Sequence, residues 1–312
     1  MLKRLFCLMG PTASGKTAIA CELVQQFPFE IISVDSAMIY RGMDIGTAKP
    51  DADTLKHAPH HLIDILDPPS SYSAALFCAD VARLSQSIIS GGKIPLLVGG
   101  TMMYFRALQQ GLSLLPSKDE TLRAELVALA TTHGSAYMHQ KLAEVDAPTA
   151  ARLHPNDTQR IQRALEVYSL TKKPLSTWLQ TAEDRSGYQF YNFILMPEVR
   201  EWLHQRIEAR FEEMLTLGLI EEVEGLIKKW PLTADIPSMR TVGYRQVLSF
   251  LQGDYDFETM KNKGIAATRQ LAKRQLTWLR HWPEGNFFKA ENLSTTREIM
   301  AIMQELLDDV RK

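Results

Sequence analysis

The segment Gly10-Pro11-Thr12-Ala13-Ser14-Gly15-Lys16-Thr17 constrains the fold more than any other stretch of the chain. Its spacing, Gly-x-x-x-x-Gly-Lys-Thr, is that of a phosphate-holding loop: the glycines let the backbone curl so that successive N–H groups point inward, and the lysine adds a point charge. Such a loop works between a buried strand and the positive end of a helix. The flanks agree, because Leu5, Phe6, Leu8 and Met9 form a short apolar run and TAIACELV reads as a helix. The expected holders of the anion are Gly10, Thr12, Ala13, Ser14, Gly15, Lys16 and Thr17, with the Thr17 hydroxyl as ligand to Mg2+.

The rest of the organisation follows from periodicity. FEIISVDSAMIY reads as a second strand ending at Asp35, and KIPLLVGGTMMYFRAL as a third running through Gly99, Gly100 and Thr101 into a helix. Strands alternating with helices predict an α/β fold, a parallel sheet flanked by helices, with ligands bound beyond the carboxyl ends of the strands. Asp35 and Thr101 both fall at such ends. Between roughly Leu112 and Tyr188 strand patterns vanish, and DETLRAELVALATTHG, AYMHQKLAEVD and NDTQRIQRALEVYSL read as helices, the last capped by Asn156 or Asp157. The expectation is a phosphate-loop core from residues 1–112 and 189–312, with an inserted all-helical domain at 113–188.

Composition narrows the class. With 45% hydrophobic residues in 312, the chain can bury a large core. Cys7, Cys21 and Cys78 have neither redox nor metal-ligand spacing, which favours small buried hydrophobes in a reducing cytosol. The phosphate loop leaves no room for a signal peptide before it, and no apolar run approaches a membrane span, so a soluble cytoplasmic protein is expected. His60 and His61 lack metal-ligand company, and structural polar contacts are expected there.

A net charge of -1 hides a local field. Between Lys261 and Pro283 the chain has six lysines and arginines and no carboxylate. On a helix, Arg269, Lys273 and Arg280 share one face and Leu271, Gln275, Trp278 and Trp282 another, a basic stripe backed by an aromatic one.

What reacts at the loop is narrowed by an absence. A nucleotide hydrolase wants a carboxylate after a buried strand, yet IPLLVGG ends in glycines and a threonine. A small-molecule or nucleoside kinase with Asp35 as base stays open, as does a noncatalytic RNA-binding protein.

The motifs GPTASGKT, VDSAMIYRGMDIGTAKP, HHLID, VGGTMMYF, RIQRALEVY, RTVGYRQ and KRQLTWLR, in that order, resemble those of the tRNA dimethylallyltransferases. The resemblance spans about Leu5 to Trp282. It implies transfer of the dimethylallyl group of dimethylallyl diphosphate to the exocyclic amine of the adenosine 3′-adjacent to the anticodon in tRNA. A monomer is expected. The loop would then hold the diphosphate leaving group. Asp35 would accept the amine's proton, with Thr101 as a hydrogen-bonding neighbour. The resemblance also places the tRNA path along Asp35, Ser36, Ala37 and Met38; Thr101 and Arg123; Gln159, Arg160, Ile161, Gln162 and Arg163; Arg240, Thr241, Val242, Gly243, Tyr244 and Arg245; and Lys273, Arg274, Gln275, Leu276, Thr277, Trp278, Leu279 and Arg280.

Overall fold

The computed structural model describes residues 3–111, 115–180 and 187–308. At its centre lies β1 (Lys3–Met9), buried from Leu5 onward as an interior parallel strand requires. α1 (Lys16–Gln26) leads to β2 (Phe29–Val34). Then come α2 (Ala52–His57), the two-residue β3 (His60–His61), α3 (Ala74–Ser90), β4 (Ile94–Gly99) and α4 (Met102–Gln110). The ladder of β2 closes at Val34 opposite Gly99, so Asp35 begins a turn where the sequence suggested the last strand residue.

The chain divides into two compact units, Met1–Ala107 with Gly187–Lys312, and Leu108–Ser186. The boundary expected at 112–113 lies outside the described residues. The second unit holds α5 (Glu120–Val145), α6 (Ala147–Arg152), α7 (Thr158–Thr171) and α8 (Leu175–Gln180) around Leu126, Met138, Leu142, Ile161 and Leu165. Two separately expected helices meet inside α5 at Gly134, whose φ of 81° interrupts the helical backbone. Asp157 occupies the N-cap of α7 without capping it; its carboxylate accepts from Arg160 at 2.5 Å instead.

The first unit resumes with β5 (Tyr188–Leu195), α9 (Arg200–Thr216), α10 (Leu219–Lys229), α11 (Tyr244–Leu251), α12 (Phe257–Arg280), β6 (Asn286–Phe288) and α13 (Thr295–Asp308). Among the described residues the six strands are all parallel, in the order β3-β2-β4-β1-β5-β6. This is the α/β architecture expected from the sequence. β4 stands between β1 and β2, so the phosphate loop, Thr101 and Asp35 leave three neighbouring strands at their carboxyl ends.

A second apolar cluster fastens the loop that follows Asp35. Ile39, Tyr40 and Met43 pack with Leu219, Val223, Met239, Tyr244 and Val247. The Glu222 carboxylate accepts from the amides of Asp44 (3.0 Å), Ile45 (2.8 Å) and Gly46 (3.3 Å) and from the Tyr244 hydroxyl (2.5 Å). Lys49 closes the other end, donating to the Tyr40 carbonyl at 3.0 Å and to the carboxylates of Asp44 and Asp64.

His61 bonds Glu30, and His60 bonds the Ala58 carbonyl at 2.6 Å, the structural contacts expected of the pair. Burial pushes the Cys78 thiol up to about 11 and raises that of Cys21, so neither is an activated nucleophile. Among the described residues no helix is long and apolar enough to cross a membrane.

Candidate active site

The phosphate loop is shaped by its backbone. Gly15, at φ 91°, directly precedes α1, and this left-handed turn aims the helix N-terminus back at the loop. Ala13 also has a positive φ, 62°, and is buried; Arg206 on α9 donates Nε to its carbonyl at 2.8 Å. Lys16 folds over the loop, its Nζ 2.6 Å from the Pro11 carbonyl oxygen and 3.5 Å from Ser14 Oγ. Thr17 follows, half-buried in the first turn of α1. Its hydroxyl makes no side-chain hydrogen bond with the described residues, and a hydroxyl oxygen beside an anion site suits a hard cation such as Mg2+.

Asp35 is oriented from its own main chain. Its Oδ1 accepts from the amides of Ala37 at 2.8 Å and Met38 at 3.3 Å, an Asx turn that leaves Oδ2 with no hydrogen bond to the described residues. Thr101 stands beside it: its amide donates to the Val34 carbonyl at 3.2 Å, and its Oγ1 accepts from the Ser36 amide at 3.2 Å. Gly99 permits this closeness, since a Cβ there would lie 2.1 Å from the Val34 carbonyl oxygen.

The electrostatics tie the two halves together. Burial, and then repulsion from Arg210, lowers Lys16 from its usual 10.5 to about 7, against the opposing pull of Asp35. Arg210 is itself held below its ordinary value by burial, with Asp35 pulling the other way. It enters no hydrogen bond or ion pair with the described residues. Two cations and one carboxylate therefore share one field at the strand ends. Arg206 and Arg210 escaped the sequence reading. The only hint was their i, i+4 spacing, in a stretch (RIEARFEE) whose acids made it look like an ordinary solvated face.

The residues read as tRNA contacts divide. Ser36, Gln159, Arg160, Arg240, Arg245, Lys273, Arg274, Thr277, Trp278 and Arg280 are exposed, whereas Ile161, Tyr244 and Leu279 are core side chains. Thr241, Val242, Gln162 and Leu276 are half-buried and Gly243 is buried, opening α11 with φ 93°. Arg123 and Arg163 are turned inward onto Glu166, which is fully buried. Arg123 gives it Nε at 2.9 Å and Nη2 at 3.2 Å, and Arg163 gives it Nη1 at 2.7 Å. Against the cost of burial, these bonds and the Asp119 amide hold the Glu166 carboxyl at about 2. Arg163 is therefore not the exposed tRNA contact that the resemblance implied; a buried carboxylate must be paired, and it takes both arginines.

The basic stripe is shorter than its sequence. Glu212 and Glu208 on α9 neutralise Lys261 and Arg269, each at 2.7 Å, whereas Lys273, Arg274 and Arg280 carry no ion pair among the described residues. The aromatic stripe is not continuous either. Trp282 is buried edge-on to Phe105, Trp278 is 38% exposed with the Arg106 guanidinium 5.5 Å over its ring, and Gln275 faces the phosphate loop.

Comparison with known proteins gives a consistent picture. A family model described as IPP transferase matches residues 38–282. A tRNA dimethylallyltransferase of Legionella pneumophila (strain Philadelphia 1) is 60% identical over 309 residues, covering 99% of each chain. That of Coxiella burnetii (strain RSA 493) is 52% identical over 297 residues, 95% of this chain and 96% of the relative. Among solved structures, a tRNA isopentenylpyrophosphate transferase of Bacillus halodurans aligns with a TM-score of 0.71 at 34% identity, over 98% of this chain and 97% of that one. A eukaryotic dimethylallyltransferase acting on tRNA reaches 0.83 at 24% identity, over 98% and 80%, a likeness of fold.

Proposed function

The chain belongs to the IPP transferase family, and we propose that it transfers the dimethylallyl group of dimethylallyl diphosphate to the exocyclic amine of the adenosine 3′-adjacent to the anticodon in tRNA, releasing diphosphate. The observation that carries the reading is the electrostatic field that Lys16 after β1, Asp35 after β2 and Arg210 on α9 share at the carboxyl edge of the sheet. Breaking the allylic carbon–oxygen bond leaves the electron pair on diphosphate and cationic character on carbon. The loop amides, Lys16 and Arg210 supply positive charge where that negative charge grows. The Thr17 hydroxyl would hold Mg2+, which would supply Lewis-acid stabilisation of the leaving group.

The amine forms the new nitrogen–carbon bond and loses a proton. Its lone pair is delocalised into the adenine ring, so a base that takes this proton during attack raises its reactivity. Asp35 Oδ2 fills that role, while Oδ1 anchors the turn and Thr101 holds Ser36 in place. The kinase reading gains nothing from the relatives and is set aside.

An adenine stacked in an anticodon loop cannot reach these groups, so it must be extruded from the stack. The phosphates of the loop then fall to the exposed cations, above all Lys273, Arg274 and Arg280. Replacing Lys273 and Arg280 with Ala should weaken tRNA binding and flatten its salt dependence by roughly one unit of log–log slope per lost phosphate contact. Filter binding across a salt series measures this, and an unchanged slope removes α12 from the RNA path. The reaction itself is tested by incubating the protein with Mg2+, labelled dimethylallyl diphosphate and unmodified tRNA. Label must enter the adenosine after the anticodon, and no label in RNA defeats the reading.

A further inference from the structure

Gln275 lies near the C-terminal end of α12, between Lys273 and Arg280, inside the segment whose resemblance marks it as touching tRNA. Its side chain is already committed elsewhere. Oε1 accepts the amide of Thr12, in the phosphate loop, at 2.9 Å, and Nε2 donates to the carbonyl of Gly100 at 2.9 Å. Gly100 directly precedes Thr101, whose hydroxyl accepts from the Ser36 amide next to Asp35. One side-chain amide thus bridges the loop on β1 and the turn after β4, from a helix more than 170 residues further along the chain.

The bridge requires one acceptor and one donor at fixed ends of one planar group. Glutamine alone has both at this length; glutamate has no proton for the Gly100 carbonyl, and methionine, of similar shape, has neither function. Without the bridge, the Thr12 amide loses the acceptor that fixes its direction, and the turn bearing Thr101 loses its tie to the loop.

We propose that Gln275 is a positioning residue for the prenyl donor, which holds the phosphate loop in register with the Thr101 turn, and is not a tRNA contact. It also links the helix carrying the exposed cations to the loop that binds diphosphate, so RNA held on α12 and donor held on the loop act on one shared strut. This assignment rests on the function proposed above only in naming the donor.

Two variants test it, Gln275→Met and Gln275→Glu, with three readouts: inorganic diphosphate affinity with Mg2+ by calorimetry, donor kcat/KM, and tRNA affinity in the absence of donor. Losing two hydrogen bonds at about fivefold each predicts a roughly 5- to 30-fold fall in diphosphate affinity and donor kcat/KM for Gln275→Met, while donor-free tRNA affinity stays within about twofold. Gln275→Glu keeps the acceptor for Thr12 but sets a negative charge beside the diphosphate, and should lose at least as much. Weakened tRNA binding with unaltered diphosphate affinity in both variants overturns the proposal, as does wild-type behaviour of either variant in diphosphate binding. If the wild-type protein binds diphosphate but transfers no prenyl group, the functional reading falls, and the diphosphate measurements still decide Gln275.

Discussion

Asp35→Asn lowers kcat for prenyl transfer by roughly 10²–10⁴, the usual span for loss of a general base. The substitution is informative because the turn survives it. An Asn side-chain oxygen can still accept from the Ala37 and Met38 amides that Asp35 Oδ1 holds at 2.8 Å and 3.3 Å, so the main chain keeps its path and only the free proton acceptor disappears. Both substrates should bind nearly as before, and the loss should fall on kcat more than on either KM, as for an interaction made chiefly in the transition state. Single-turnover transfer under saturating donor and tRNA separates the steps. A near-normal rate in that assay reduces Asp35 to a loop former and leaves the amine without an identified base.

Lys16→Ala is the second large effect. Removing one fixed positive group from the place where the leaving group gathers charge costs roughly 10²–10³ in rate, and donor KM should rise while tRNA affinity in the absence of donor is retained. The position of Lys16 on the pH scale adds a sharper signature. Its folded value, lowered to about 7 by burial and by Arg210, means the ammonium is complete below that pH and is lost as the pH climbs through it. A bound diphosphate favours the charged form. Affinity for inorganic diphosphate in the wild type should therefore decline above about pH 7, by up to about tenfold per unit until the bound-state value is reached. Lys16→Arg keeps its charge and should lack this decline. Comparing the two proteins also cancels the ligand's own titration. Parallel pH curves for wild type and Lys16→Arg would show that Lys16 does not hold the diphosphate.

Much of this site could be read from the chain itself, and the unread part has a common cause. The phosphate loop, Asp35 and Thr101 sit on short, strongly patterned segments, where an apolar strand gives way to glycine, acid or hydroxyl within two or three residues. Periodicity finds such junctions. Arg210 and Gln275 lie on long helices formed far along the chain, and only the folding of α9 and α12 against the strand ends gives them meaning. Nothing local separates Arg210 from the other charges of RIEARFEE. Glu166 is the converse case: it is buried and gathers Arg123 and Arg163, two arginines that the resemblance placed on the RNA path. Charge patterns in sequence state which groups exist, whereas pairing depends on burial.

The carboxylate of Glu222 sits where three successive amides, those of residues 44–46, converge. Backbone N–H groups gathered in this way attract anions, and the protein fills this cradle with an anion of its own. To swing outward, the segment after Asp35 would have to break three backbone hydrogen bonds to Glu222 and strip Tyr244 of its partner. That segment is consequently not a flap to be folded down by an arriving nucleotide. The conformational entropy of fixing it is lost once, when the polypeptide folds, and is not charged again to the binding of each RNA. An extruded adenine then meets a wall already in place, and its affinity is not diminished by the work of assembling one.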